Sequence, residues 1–376
     1  MKPRLPKCRF KASLLIGCVI VFFIYMYKAN DKVWSILHNS LLCSSSTKPA
    51  STPDTTPLRL IVGYMRGGSS LTGDILRHTE GDFYIFEPLH GLSQAGRKFN
   101  TTQYLNGTNR SILTPDHYAV YTELLYHWFT CNFDHIDLIS LTDPFLSIFT
   151  PEHKKYNDCI KQNHNQSRIQ IVKNCTALLN ERCRNAKSRT IKTIRISVSM
   201  AGILLKWLPN LRIVHLIRDP RGIVNSRFEQ HLNDSSELST SAKDLCNCIS
   251  SDLAVFSELE RCHQDRMMRV IYENLCQNPH IVVLQIYSFL GVRYTENVKK
   301  YVQRIFNGPS KKCHYCTDRG KAISNAYRWM SVIQEQTLEI IDYHCSLLYS
   351  QLGYQNLEYD TLNITRVSWL PTETTV

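Results

Sequence analysis

The segment from Leu58 to Asp74, LRLIVGYMRGGSSLTGD, constrains this chain more than any other. LRLIVGY is a short apolar run broken by Gly63, the pattern of a buried strand. It leads into Gly67 and Gly68. Ser69 then opens a stretch to His78 with helical spacing, Leu71, Ile75 and Leu76 on one face. A strand, a glycine turn and a helix start in this order gather backbone N–H groups around one point, a site for a phosphate or sulfate. Gly67 and Gly68 let the backbone approach the anion, and Arg66 with the hydroxyls of Ser69 and Ser70 adds donors. The pattern is not a Walker A loop, because no lysine precedes the hydroxyl residues. That argues against an ordinary nucleotide triphosphatase and weakens a kinase reading.

Downstream, strand and helix patterns alternate. DFYIFEPL (82–89), TIKTIRI (190–196), LRIVHLI (211–217) and part of MRVIYENL (268–275) read as strands. Arg221–Leu232, Ala242–Arg261, Ile281–Leu290 and a long region from Ala322 to Leu352, ending at Gly353, read as helices. Residues 95–185 read as loop-rich, with a helical stretch near 117–130. This alternation predicts an α/β fold with a P-loop-like central parallel sheet flanked by helices, in a single domain from residue 58 to 376.

The residues ahead of that domain set the expected compartment. Lys2, Arg4, Lys7, Arg9 and Lys11 precede an uncharged run from Ala12 to Tyr27 that ends in bulky residues, without a small-x-small cleavage site close behind. The expectation is a cytosolic tail (1–11), a transmembrane signal anchor (12–27) and a Ser/Thr/Pro-rich stem (28–57), in type II orientation with the rest of the chain in the lumen. Seven N-x-S/T sequons, at Asn100, Asn106, Asn109, Asn165, Asn174, Asn233 and Asn363, fit a lumenal domain; three within ten residues suggest an exposed loop. So do 14 cysteines, eleven of them from Cys131 onward. Eleven is odd: one thiol is free, or pairs with Cys43, or pairs with a second chain in a homodimer. Cys313 and Cys316 (CHYC) find no second C-x-x-C, so a disulfide role is preferred over a metal site.

Of the net charge of +12, half lies before residue 58, where eight basic residues face two acidic ones. The remaining surplus suits an anionic small molecule or a polyanionic glycan, and no basic–aromatic run points to nucleic acid.

A second motif sharpens the anion site. LRIVHLIRDPRGIVNSR puts Arg218 at a strand end, Asp219-Pro220 at a helix start and Ser226 two turns along, able to converge on one phosphate. With GYMRGGSS before it, the chain resembles the sulfotransferases that use 3′-phosphoadenosine-5′-phosphosulfate (PAPS). Within them it is most similar to the Golgi galactose, N-acetylgalactosamine and N-acetylglucosamine 6-O-sulfotransferases. FEPL (86–89), IKTIR (191–195), IYENL (271–275) and CSLLYSQLGY (345–354) extend the likeness to about Gly353. Gly67 where the family has a hydroxyl residue, and His90 where many relatives have tryptophan, depart from it.

The resemblance implies sulfuryl transfer from PAPS to a glycan hydroxyl. Arg66, Gly67, Gly68, Ser69 and Ser70 would hold the 5′-phosphosulfate, Arg218 and Ser226 the 3′-phosphate, and Arg319 would close over the cofactor. In-line transfer needs cations at the bridging oxygen and a base on the acceptor hydroxyl. Arg66 is the first expectation for the cation, with Lys192 and Arg195 as second candidates. Glu87, ending an apolar strand where burial would raise its pKa, is the expected base; otherwise it is the buried partner of an arginine. His90 is the alternative base, or a surface histidine, and Tyr272 reads as a core residue. A Golgi glycosyltransferase would share the anchor and sequons, but no D-x-D is present; a non-catalytic lumenal glycan-binding protein should have lost Arg66 or the Arg218/Ser226 pair.

Overall fold

The computed structural model describes residues 55–112, 116–162, 166–231, 234–309, 317 and 320–362. The anchor, nearly all of the stem, Cys43, Cys313, Cys316, Arg319 and the sequons at Asn165, Asn233 and Asn363 lie outside them.

The described strands are β1 (Leu58–Val62), β2 (Asp82–Phe86), β3 (Thr101–Gln103), β4 (Asn109–Ser111), β5 (Ser188–Thr193), β6 (Leu211–Ile217) and β7 (Met267–Ile271). Five of them form one sheet in the order β2-β5-β1-β6-β7, every pairing parallel, while β3 and β4 make a separate antiparallel hairpin. Every residue of β1 and β5 is buried, as strands covered on both faces must be. The chain leaves β1 for β2 on one flank and returns through β5, then passes to β6 on the other flank. Such a reversal opens a crevice at the carboxyl ends of the strands. Gly63, Glu87, Ile194, Arg218 and Tyr272 follow the five strands at that edge.

Helices cover both faces: α1 (Ser69–Arg77), α2 (His90–Ala95), α3 (Asp116–Phe129), α4 (Arg168–Arg184), α5 (Val198–Trp207), α6 (Pro220–His231), α7 (Ser235–Cys262), α8 (Pro279–Phe289), α9 (Glu296–Asn307) and α10 (Glu335–Leu352), with shorter turns between them. One core joins Ile61 and Val214 of the sheet to Leu71 and Ile75 of α1, Tyr287 of α8 and Val302 of α9. The other joins Ile217 to Ile223 of α6, Ile249 of α7 and Ile341 and Tyr349 of α10. The expected α/β architecture is therefore present: β1 and β6 lie within two residues of where the pattern placed them, while β2 and β5 each end three residues sooner.

Several element boundaries differ from the sequence reading. Residues 95–185 are far from loop-rich: they hold α3, α4 and the helix Lys154–Gln162, clamped by the Cys131–Cys183 and Cys159–Cys175 disulfides. The buried stripe of α4 is Val172, Cys175, Thr176, Leu179 and Cys183, so cysteine and threonine hid its 3.6-residue period. α7 starts at Ser235, seven residues early, because the Asp234 carboxylate caps the Ser236 and Glu237 amides of a Ser-rich first turn. The region 322–352 is broken by a 3₁₀ turn at Arg328–Ser331, although Gly353 does end α10 in the left-handed conformation. α5 and α9, capped by Ser197 and Thr295, were not anticipated. The three clustered sequons sit on and beside the β3–β4 hairpin, where Asn100, Asn106 and Asn109 are exposed. A third disulfide joins Cys246 to Cys345, and Cys262 is also disulfide-bonded. Cys248 and Cys276 are both free thiols, where parity alone asked for one.

Two imidazoles are buried in the core. His153 donates from Nε2 to the Tyr84 carbonyl (2.9 Å), and burial lowers its pKa to about 4; His215 in β6 is pushed down to about 3 by the same cause. Both folded values lie below the ordinary 6.5, so the unfolded chain binds more protons in between. Stability contributed by each is complete above that ordinary value and is lost as pH falls, by up to about 1.4 kcal/mol per pH unit. His153→Gln, which can still donate to Tyr84, should flatten this slope between pH 4 and 6.5 in denaturant titrations. An unchanged slope would place the acid sensitivity elsewhere.

Candidate active site

The turn after β1 is built by glycine where glycine alone fits. Gly68 has φ 89°, and a Cβ there would lie 2.2 Å from the Tyr272 ring. Gly67 is closed in by its own turn, its amide donating to the Tyr64 carbonyl (2.8 Å). Gly68 is the N-cap of α1 and supplies no side chain, nor does any acidic residue occupy the first turn. The helix N-terminus is thus left to an outside acceptor, and its dipole favours an anion.

Arg66, also at positive φ (71°), joins the two motifs. Its Nε donates to the Ser226 hydroxyl of α6 (3.0 Å), and its carbonyl accepts from Nη1 of Arg218 (2.9 Å). The expected convergence of Arg218 and Ser226 therefore takes place on Arg66. Arg218 also lies over the Tyr272 ring, 4.9 Å from its centroid, so Tyr272 packs the turn on one side and a cation on the other. Arg218 Nε is buried without a hydrogen-bond partner and stands 3.9 Å from Glu273. Burial raises Glu273 to about 7, against the pull of Arg218. Glu273 is thus a weaker counter-charge to the guanidinium than an exposed carboxylate would be.

On the other side of β1, Lys192 of β5 is 2% exposed yet lines the cleft. Its ammonium pairs with Glu87 and rests over the Phe86 ring at 4.6 Å. Burial lowers the Lys192 pKa, with Glu87 opposing and Arg195 reinforcing the shift. Glu87 is itself 2% exposed, and its second oxygen is bound by Arg195 and approached by the Ile194 amide (3.4 Å). The sequence reading expected a proton-accepting carboxylate here, or otherwise the buried partner of an arginine; the structure pairs it with both Lys192 and Arg195. Glu87 has φ 50° and stands before Pro88, a position that ordinarily favours extended backbone, so its turn is strained.

One cleft of about 310 Å³ gathers Arg66, Gly68, Ser69, Ser70, Glu87, His90, Lys192, Arg195, Arg218 and Tyr272. Of the residues picked from sequence, Gly67 lies under the turn, Ser226 acts through Arg66, and Arg319 is outside the described residues. Sequence reasoning gave Glu273 no role although it lies within IYENL, and it missed Phe145 and Asp143, near which nothing has a motif's spacing. His90 is no isolated surface histidine, since its Nδ1 meets Asp143 at 2.8 Å. An uncapped helix N-terminus facing four cations can bind a doubly anionic group and stabilise charge leaving it.

Fold and site together define an anion-binding transferase, and the comparisons name its kind. The model of the Sulfotransferase family matches residues 57–296, and the chain belongs to that family, as an enzyme of sulfuryl transfer. Its curated relatives include carbohydrate sulfotransferase 1 of Danio rerio, 25% identical over 342 residues, covering 79% of this chain and 77% of the relative. The Homo sapiens protein of the same name is 25% identical over 335 residues and covers 79% of each. Among solved structures, the sulfotransferase domain from the Synechococcus PCC 7002 olefin synthase aligns at TM-score 0.44 and 16% identity, over 84% of this chain and 100% of that one. Mouse sulfotransferase SULT7A1 complexed with PAP aligns at 0.38 and 11%, over 82% and 86%. Scores of this size leave the fold resting on the strand order described above.

Gly68→Ala should destabilise by about 1–2 kcal/mol for the left-handed backbone alone, and by more for the clash with Tyr272. Adding Tyr272→Leu should recover the steric share only. A Gly68→Ala protein as stable as wild type would mean that the turn is not fixed as described.

Proposed function

We propose that this chain transfers a sulfuryl group from PAPS to a sugar hydroxyl, the 6-OH of galactose, N-acetylgalactosamine or N-acetylglucosamine on glycoprotein or proteoglycan glycans. The observation that carries the reading is the cleft in which the Gly68 turn and the α1 N-terminus face Arg66, Lys192 and Arg218. Its residues suit a donor with anions at both ends: the orphaned Arg218 Nε sits beyond one side of the turn and the Lys192 ammonium beyond the other. Sugar as acceptor is supported by relatives named carbohydrate sulfotransferases.

In this reading the amides and hydroxyls of Ser69 and Ser70, with Gly67 and Gly68 shaping the turn, hold the 5′-phosphosulfate. Arg218 holds the 3′-phosphate, Ser226 fixes Arg66, and Arg319 closes over the donor. Bound PAPS supplies an activated sulfuryl group, and the chain's part is to orient it and neutralise the departing charge. Arg66 and Lys192 serve that second task, Lys192 from a dry position where its charge is felt most. Glu87 keeps Lys192 charged and aimed. The enzyme works in the Golgi lumen, held by residues 12–27 as a type II anchor. No residue pattern favours nucleic acid, and a homodimer through an unpaired cysteine remains part of the reading.

Full-length protein in membranes, given labelled PAPS and a panel of keratan, chondroitin and N-acetyllactosamine acceptors, should label one class of glycan. Label no higher than with Arg218→Ala overturns the reading. Adenosine 3′,5′-bisphosphate should bind Arg218→Ala roughly tenfold or more weakly, since one charge-assisted bond is worth about 1.5–3 kcal/mol. Equal affinity for the nucleotide lacking its 3′-phosphate would remove Arg218 from that role. The anchor is checked separately: the protein should fractionate with membranes and lose several glycans on glycosidase digestion. A mature N-terminus near residue 30 would make it a secreted protein instead.

A further inference from the structure

Sulfuryl transfer to a hydroxyl needs an acceptor for the hydroxyl proton, and both Glu87 oxygens are committed to Lys192 and Arg195. One turn further on, the cleft is lined by an imidazole whose surroundings are those of a poised base. His90 opens α2, its amide donating to the Glu87 carbonyl (2.9 Å), so the end of β2 fixes where it stands. Its Nδ1 lies 2.8 Å from Oδ2 of Asp143. Its ring stacks on Phe145 with centroids 3.7 Å apart and planes 6° from parallel. Asp143 is 7% exposed and is held in turn, its Oδ1 accepting from the Phe145 amide (2.8 Å).

The fold makes room for this contact. A Cβ on Gly91 would lie 2.7 Å from Asp143 Oδ2 and 3.2 Å from the Ile139 carbonyl, so only glycine after His90 allows the loop to close on the ring. A buried carboxylate only accepts hydrogen bonds, so Nδ1 carries the proton of the neutral ring and Nε2 keeps its lone pair. A nucleophile's base oriented by a third group is the arrangement that activates hydroxyls elsewhere.

We propose that His90, oriented by Asp143, is the general base for the acceptor hydroxyl, and that Glu87 is a positioning residue for Lys192 and Arg195. The inference rests on the sulfotransferase reading above. In the step, Nε2 takes the hydroxyl proton while the sugar oxygen forms the new bond to sulfur. The bond from sulfur to the 5′-phosphate oxygen breaks, and its electron pair leaves with adenosine 3′,5′-bisphosphate. The imidazolium, stabilised by Asp143, returns its proton to solvent. Five further charged groups share the cleft: Arg66 after β1, Glu87 after β2, Lys192 and Arg195 on and after β5, and Arg218 after β6.

The test uses the full-length enzyme with labelled PAPS and its best acceptor. Wild-type kcat should fall as pH drops and the imidazole is protonated. His90→Gln should lose about 10²–10⁴-fold in kcat together with that acidic limb, while its affinity for adenosine 3′,5′-bisphosphate stays within about twofold of wild type. Asp143→Asn should lower kcat and move the limb to lower pH. Glu87→Gln should keep the limb, since it acts through the cations. An independent readout needs neither turnover nor variants: diethyl pyrocarbonate should carbethoxylate His90, and acceptor glycan should protect it more than the nucleotide does, by peptide mass mapping. Near-wild-type turnover or a retained limb in His90→Gln overturns the assignment, as does labelling that acceptor leaves unchanged. Wild-type enzyme that transfers nothing from PAPS would instead overturn the parent reading, which the binding and transfer assays report separately.

Discussion

The ion triad of Glu87, Lys192 and Arg195 is the interaction on which the β2 side of this cleft depends. A lysine that is 2% exposed in a central strand is costly unless a carboxylate meets it, and removing one partner of such a pair typically costs about 3–5 kcal/mol. Glu87 meets that need, but only from a strained turn that reverses β2 directly into Pro88. The same turn sets the start of α2, and so the place of His90. Charge burial, backbone strain and helix position are here one constraint, satisfied by one residue. This is why a carboxylate at the end of an apolar strand need not be a base: its surroundings already hold the two cations that claim it.

The β1–β6 side is organised differently. There the turn presents backbone groups to the cleft, and side chains bring that backbone together. Tyr272 packs against Gly68, and Arg218 lies over the same ring and reaches the Arg66 carbonyl. Arg66 in turn holds the hydroxyl of Ser226. Two motifs about 150 residues apart in the chain thus form one unit, and disturbing either should be felt at the other.

Much of this was legible in the sequence because glycine and strand patterns carry physical requirements on their face. β1, the Gly67-Gly68 turn and α1 follow from one stretch of residues, as do β6, Arg218 and the start of α6. What could not be read was anything decided by packing between distant segments. The stripe of α4 is filled by two cysteines and a threonine whose apolar role appears only once the disulfides are in place. Glu87 was rightly seen as buried, but its partners lie about a hundred residues away on β5, and no local pattern ties them. Asp143 sits in a segment that looked like loop, and its partner is fixed by a glycine whose need for space is invisible without the fold. α5 and α9, by contrast, were readable: Ser197 is an ordinary cap before an apolar run and Thr295 one before an amphipathic run.

The strand order explains why the two halves meet. β1 lies between β5 and β6, so the turn that follows it is flanked by Lys192 and Arg195 on one side and by Arg218 on the other. Had the sheet grown in sequence order, β2 would stand beside β1 and the cations of β5 would be displaced by a strand's width, about 4.8 Å. The interposed β5 instead brings its buried cations alongside β1, and pushes β2, with Glu87 and His90 behind it, one place further out. In the proposed reading, donor contacts cluster on β1 and β6, and acceptor contacts on the β2 side. Lys192 stands on β5 between these two flanks, buried and paired with Glu87. A displacement reaction along that line would build charge where Lys192 and Arg66 both stand, and would take up its proton on the flank where His90 lies.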